Sequence, residues 1–322
     1  MRDPLIPDRP YRGRFAPSPT GPLHQGSLIA ALASYLDARH HHGLWLVRME
    51  DLDPPREEAG AAKRILASLD AHGLHWDGEV LWQSQRGPAY AAALDLLDRD
   101  HHLFRCDCTR QMLGPGGACC GRCRERQAAL SEPVAVRLSV PADCRIRFID
   151  RLQGVRDIAL GAEIADFVVK RKDGLDAYQL AVVVDDAWQG ITHIVRGSDL
   201  LDSTGRQIFL QQLLQAPTPS YCHLPVITDA AGHKFSKQNH APPLRDERAT
   251  DNLRAALHFL GQRRPPGEVD AVADILAFAS ANWTLQAVPA VLSMTATSAT
   301  WSASAAATTS PRASRGSSAR SA

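Results

Sequence analysis

The chain has 322 residues, enough for a sizeable core in one large domain with an insertion or in two domains. Hydrophobic residues are 44% and charged residues 22%, and no apolar run approaches the ~20 residues of a membrane-spanning helix, so a soluble globular protein is expected. Its 36 basic and 35 acidic side chains leave a net charge of +1, so an RNA partner would be held by local basic patches and shape, not by a strongly basic surface. The opening MRDPLIPDRPYRGRF lacks the apolar core of a signal peptide, which makes the expected compartment the cytoplasm.

The first feature is a proline-stiffened loop, RFAPSPTGPLHQGSL (Arg14–Leu28), which runs straight into SLIAALASYLDAR. The apolar spacing of that run predicts a helix with one buried face. A helix N-terminus offers unpaired N–H groups and a positive dipole end. Gly26 would let a nucleotide approach the backbone, and His24 could donate a hydrogen bond to a phosphate oxygen. Alone, a His-x-Gly is only a turn feeding a helix. Next, LWLVRMEDLDPPR predicts a short strand stopped by Pro54 and Pro55, AAKRILASLDAHGL an amphipathic helix ending at Gly73, and AYAAALDLLDRDHHL a third helix. This alternation predicts a parallel sheet with helices on its faces.

Five of the seven cysteines then crowd between Cys106 and Cys123, which in a cytosolic chain favours metal binding over disulfides. Cys144 and Cys222 read as buried inert thiols. Residues 106–161 also hold the strand-like VAVRLSV and RIRFID and read as an insertion, with Asp107 and RCRER in solvent and Arg122, Arg124 and Arg126 free to touch RNA phosphates. DFVVKR, AYQLAVVVDDAWQG and ITHIVRG are rich in β-branched residues and predict that the strands resume, with SDLLDSTGRQIFLQQLL as a helix. From Pro217 to Pro289 run loops and two helical patterns. Within them HKFSKQN (His233–Asn239) has two lysines three apart, a pattern able to close over a triphosphate. By itself that loop is a solvated turn; paired with the histidine loop it is far more specific. Beyond Val291 a Ser/Ala/Thr-rich stretch predicts a disordered tail. The run His40–His42 has no partner at suitable spacing and is not taken as a metal site; His101 and His102 precede the cysteines and could supply an alternative ligand, but they too are discounted.

PSPTGPLHQGSLIAAL, RMEDLDPPR, the Cys-x-Cys insertion, DAYQLAVVVDD, VRGSDLLDSTGRQIFL and KFSKQNHAPPL span roughly Arg12 to Pro289. Together they resemble the class I aminoacyl-tRNA synthetases, and within them the glutamyl branch and its short, queuosine-directed members. The resemblance implies an α/β fold, a Rossmann-type parallel sheet with an inserted zinc-bearing α+β region and a C-terminal helical region. Residues 1–105 and 162–216 would be the two halves of the catalytic domain and 106–161 the insertion. Residues 217–290 would be the lysine-loop and stem-contact region, and 291–322 the tail. It implies a monomeric enzyme that activates L-glutamate with ATP, Mg²⁺ accompanying the ATP, and passes the glutamyl group to queuosine in tRNA(Asp).

By the same resemblance His24, Gly26 and Lys237 act in catalysis, with Lys234 and Ser236 completing the ATP site. Arg14, Ala16, Ser18, Glu50, Tyr178 and Arg196 would hold glutamate, Glu50 reaching its amine. Two carboxylates and one ammonium want two guanidinium partners and one carboxylate partner. Taken singly, Arg14, Glu50 and Arg196 read as surface ion pairs and Tyr178 as a half-buried strand aromatic. Cys106, Cys108, Cys119 and Cys123 would close a structural Zn²⁺ site, with Cys120 competing for the place of Cys119. Ser27 stands where many members carry a second histidine, and Phe235 and Gln238 depart from the lysine motif. Two other readings stay open: a truncated glutamyl-tRNA synthetase charging a tRNA 3′ end, and a zinc-containing RNA-binding module with a decayed ATP site. The expectation of queuosine rests on the short motifs and on an apparent end of the globular chain near Pro289.

Overall fold

The computed structural model describes residues 10–114, 117–229 and 242–295. Its first half is a β–α–β unit. Strand β1 (Arg12–Phe15) leads to helix α1 (Gln25–His40), which returns to β2 (Leu44–Met49), parallel to β1 with Arg12 opposite Leu44. Helix α2 (Ala61–Ala71) ends before Gly73, whose φ of +66° is the left-handed turn glycine tolerates. The short β3 (Leu81–Trp82) then adds to β2 in parallel, and α3 (Gly87–Arg99) follows.

The remaining elements are β4 (Leu103–Cys106), β5 (Ala135–Leu138), β6 (Ile146–Asp150), β7 (Gly154–Ile158), α4 (Leu160–Glu163), β8 (Phe167–Lys170), α5 (Tyr178–Trp188), β9 (His193–Gly197), α6 (Leu201–Leu213), β10 (Ser220–Leu224), β11 (Val226–Thr228), α7 (Ala249–Phe259), α8 (Val272–Ala281) and β12 (Ser293–Thr295). Strands β9, β10 and β6 are parallel, with β7 antiparallel at the edge. Thr192 joins the two parallel groups: its N–H donates to the Arg12 carbonyl at 2.9 Å, and its Oγ1 accepts from the Arg12 N–H at 2.8 Å. The expected parallel sheet is therefore present, and its strands carry near-continuous apolar runs because both faces are covered.

Several local expectations change, and strands β10 and β11 stand where loops were expected. AYQLAVVVDDAWQG is helix α5 and not a strand; packing of Leu180, Ala181 and Val183 against α3 and α6 overrides the β-preference of its valines. Tyr178 thus opens a helix. DFVVKR forms β8, but β8 pairs antiparallel with β5, in the sheet of β4, and does not extend the parallel one. Helix α1 is buried on more than one face, Leu28, Leu32, Leu36 and Ala38 being inaccessible, because α7 and α8 cover the side turned away from the strands. Ser293–Thr295, expected in the tail, pairs parallel with β11, Ile227 opposite Met294. Residues 296–322, and the HKFSKQN loop with Lys234, Ser236 and Lys237, lie outside the described residues. Among the described helices none is long and apolar enough to cross a membrane.

Candidate active site

In parallel α/β sheets a ligand crevice opens beyond the carboxyl ends of the strands. Here a cleft of about 1030 Å³ lies there, lined by residues at the ends of β1, β2, β9 and β10. Arg14, Ala16, Ser18, Glu50, Tyr178 and Arg196 all line it, together with His24 and Gly26. The loop after β1 is pinned to the segment between β2 and α2: the N–H of Glu50 donates to the Pro17 carbonyl at 3.0 Å, and that of Glu58 to the Pro19 carbonyl at 3.0 Å.

His24 is the N-cap of α1, and no acid occupies the first turn to compensate the positive end of the helix dipole. Its Nδ1 accepts from the Ser27 N–H at 3.3 Å, so in the neutral ring the proton sits on Nε2, 3.2 Å from Ser27 Oγ. The serine in the place of the second histidine therefore holds the first one. Gly26 has a packing reason of its own: a Cβ there would stand 3.1 Å from His24 Cε1 and 3.4 Å from Ile227 Cγ2.

The charged floor of the cleft contains partners that sequence reasoning missed. Arg14 is 4% exposed and is bound by Asp186 of α5, Nε to Oδ1 at 3.1 Å and Nη2 to Oδ2 at 3.4 Å. Arg48, wholly buried on β2, donates to the same Asp186 Oδ1 at 2.7 Å, to Gln189 Oε1 at 2.9 Å and to Glu50 Oε1 at 3.3 Å. Burial pushes the Glu50 carboxyl above its ordinary value, although Arg48 and Arg14 oppose the shift. Burial acts likewise on Asp186, but Arg14 and Arg48 outweigh it and hold that carboxyl low. Two guanidinium groups thus face two carboxylates. The available signals were an arginine inside the apolar LWLVRM and two adjacent acids inside the apolar AVVVDDAW, since unpaired charges are almost never fully buried.

Arg196 is 5% exposed and differently bound. Its Nε donates to His223 Nε2 at 3.0 Å and its Nη2 to Thr204 Oγ1 at 2.8 Å, while Nη1 has no partner among the described residues. Burial raises the neighbouring Tyr178 phenol above its ordinary value, with Arg196 acting against the shift and Glu50 with it.

Away from the cleft, the sulfurs of Cys106, Cys108, Cys119 and Cys123 all lie within 4.8 Å of one another. Cys108 Sγ is 3.9 Å from that of Cys119 and 3.5 Å from that of Cys123. Zn–S bonds of about 2.3 Å set tetrahedrally place sulfurs about 3.8 Å apart, so the donor set fits a metal ion. As free thiols, Cys108 and Cys119 are pushed up to about 11, burial being the largest cause. Cys120 Sγ also approaches Cys108, at 3.4 Å. Asp107, expected in solvent, instead accepts from Arg126 at 2.7 Å and from the Ser131 N–H at 3.2 Å, and Arg124 is paired with Asp166, so both arginines brace the cysteine loops.

The fold and this cleft define an α/β domain with a ligand crevice at the carboxyl ends of its strands, and the chain belongs to the family described as tRNA synthetases class I (E and Q), catalytic domain, which matches residues 11–115 and 120–264. Among curated relatives, the Glutamyl-Q tRNA(Asp) synthetase of Pseudomonas fluorescens is 51% identical over 287 residues, covering 88% of this chain and 95% of that protein. The protein of the same name from Thiobacillus denitrificans is 54% identical over 291 residues, covering 86% and 94%. The solved glutamate-tRNA synthetase of Elizabethkingia anophelis shares the fold, with a TM-score of 0.74 at 23% identity over 91% of this chain and 69% of that one.

Proposed function

We propose that this chain is a cytoplasmic ligase that activates glutamate with ATP and transfers the glutamyl group to queuosine of tRNA(Asp). The observation that carries the reading is the convergence of Arg14, Glu50, Tyr178 and Arg196 in one cleft beside the His24-capped mouth of α1. The names of the relatives at 51% to 54% identity support the acceptor.

In the first step a carboxylate oxygen of glutamate attacks the α-phosphorus of ATP, and the bond to pyrophosphate breaks. The protein does this by positioning and by stabilising charge. Arg196 and Arg14 hold the substrate's carboxylates, Glu50 takes its ammonium, and Ala16 and Ser18 shape the wall. His24 Nε2 and the N–H groups of α1 meet the phosphate. Lys237, with Lys234 and Ser236, neutralises the charge that builds on the phosphates, and Mg²⁺ accompanies ATP. In the second step a queuosine hydroxyl attacks the glutamyl carbonyl, and AMP leaves. The four cysteines would hold Zn²⁺ as a closed structural site with no coordination position left for water.

Glutamate-dependent ATP–pyrophosphate exchange, followed by glutamylation of tRNA(Asp) with and without queuosine, tests the reading. Glutamylation that requires queuosine is expected; equal charging of both tRNAs would assign the glutamyl group to a 3′ end instead. Lys237→Ala should lower exchange by roughly 10²-fold or more, on the scale of removing one transition-state charge partner. For the cysteines, Cys123→Ser should lose the bound zinc seen by metal analysis of the wild type and lower the melting temperature, while Cys120→Ser keeps the metal. Loss of zinc from both variants alike would contradict the choice of Cys119.

A further inference from the structure

The two arginines of the cleft are not equivalent. Arg14 faces a carboxylate, Asp186, so its charge is matched inside the protein. The hydrogen-bond partners of Arg196 are His223, Thr204 Oγ1 and the Leu200 carbonyl, and its guanidinium lies 5.3 Å from the centre of the Tyr221 ring; none of these groups carries a negative charge. No ion pair to Arg196 occurs among the described residues. Its Nη1 is buried and has no partner among the described residues, which leaves the guanidinium with a donor to give.

Holding an arginine without neutralising it needs a buried neutral acceptor in a fixed tautomer. Arginine only donates, so His223 Nε2 accepts and the ring proton sits on Nδ1. That proton is given to Asp150 Oδ2 at 2.6 Å. The other oxygen of Asp150 accepts from the N–H groups of Leu152 at 3.0 Å, Gln153 at 2.8 Å and His223 at 3.2 Å. Asp150, His223 and Arg196 are 1%, 0% and 5% exposed, and they sit on the adjacent parallel strands β6, β10 and β9. The carboxylate is thus fixed by backbone, the imidazole by the carboxylate, and the guanidinium by the imidazole.

We infer that His223, held by Asp150, is a positioning residue that orients Arg196, which has no direct ion-pair partner among the described residues, as the principal anchor for a substrate carboxylate. The inference rests on the glutamate reading of the cleft and deepens it. It uses the logic by which a metal-bound or catalytic histidine is oriented by a carboxylate behind it, applied here to an arginine. Burial, the largest cause, also keeps His223 below its ordinary value, so the ring stays neutral, with the Asp150 hydrogen bond opposing that shift.

Two substitutions separate positioning from packing. In His223→Asn the amide nitrogen can still reach Asp150, but nothing reaches Arg196. In His223→Gln the amide oxygen lies where Nε2 was and can accept from Arg196. Glutamate titrations of ATP–pyrophosphate exchange with the full chain should give a glutamate KM raised roughly tenfold or more for His223→Asn, the size expected for losing a hydrogen bond to a charged group. The KM for ATP and kcat should stay within about twofold, and His223→Gln should restore much of the glutamate KM. Asp150→Asn tests the relay from its other end: it lets Nδ1 accept, moves the proton to Nε2 and sets it against the Arg196 donor, so the same KM effect is expected. An unchanged glutamate KM in either His223→Asn or Asp150→Asn overturns the inference, as do equal KM increases in Asn and Gln variants whose melting temperatures fall together. A wild-type chain with no glutamate-dependent exchange would instead overturn the functional reading itself.

Discussion

Asp186→Ala is expected to damage the fold and the cleft together. The buried floor balances Arg14 and Arg48 against Asp186 and Glu50, and all the Asp186 contacts are at 3.4 Å or less. Removing one carboxylate leaves two guanidinium groups, 4% and 0% exposed, facing Glu50 alone. Breaking a buried pair costs about 3–5 kcal/mol, because the surviving charge is neither hydrated nor matched. That is a large part of the 5–15 kcal/mol typical of a whole domain. Urea titration should show the loss directly. In the folded remainder Arg14 loses both bonds that fix its plane, so exchange should also need roughly 10²-fold more glutamate. Asp186→Asn keeps the shape and some acceptor capacity but not the charge, and should fall between. Wild-type stability in Asp186→Ala would mean that the two arginines are solvated in solution and not buried as described.

How much of this was legible in the sequence depends on how local the cause is. The loop Arg14–Leu28 was readable because its chemistry is contained in it: Pro17, Pro19 and Pro22 stiffen it, His24 caps the helix it enters, and Gly26 makes room. The cysteine quartet was readable because its members fall within 18 positions, 106 to 123. The partners of the arginines were not. Asp186 meets Arg14 across 172 residues of chain and His223 meets Asp150 across 73, and no local pattern marks such pairs. Strand β10 lies in a stretch read as loops and helices, and β6 in one read as an insertion, whereas β2 and β9 were found by their apolar runs. Helix α5 was lost for the same reason, since its three consecutive valines satisfy a strand pattern as well as a buried helix. The pairing of β8 with β5 followed from nothing in DFVVKR itself, because direction of pairing is set by the partner. Strand β12 was hidden in a stretch whose composition resembles a tail, where Met294 is the one large apolar residue facing Ile227.

Asp37→Ala offers the contrasting case, a large loss of stability with no change in the chemistry. Asp37 sits in α1 far from His24 and is 0% exposed. Its carboxylate accepts from the Tyr11 hydroxyl, from both terminal nitrogens of Arg151 and, at 3.0 Å, from Trp283 Nε1. One side chain therefore ties α1 to the residue before β1, to the turn after β6 and to the segment after α8. Alanine would leave the Arg151 charge, a phenol and an indole without their acceptor, at about 3–5 kcal/mol for the charge and about 1–3 kcal/mol for each buried donor. The sum is comparable with the stability of a whole domain, so much of the variant should be unfolded at room temperature. Burial raises the Asp37 carboxyl, but Arg151, Tyr11 and Trp283 outweigh it and leave it below its ordinary unfolded value. The stabilisation is therefore fully present above that unfolded value and is lost as pH falls through the lower folded one, a loss that Asp37→Ala should abolish from the acid limb of the wild-type stability curve. Since Asp37 touches nothing in the cleft, the folded fraction should keep the wild-type glutamate KM, and exchange should fall only in proportion to the protein that remains folded. A raised KM in that fraction would show that the far end of α1 sets the position of His24, and would move Asp37 from the framework into the site.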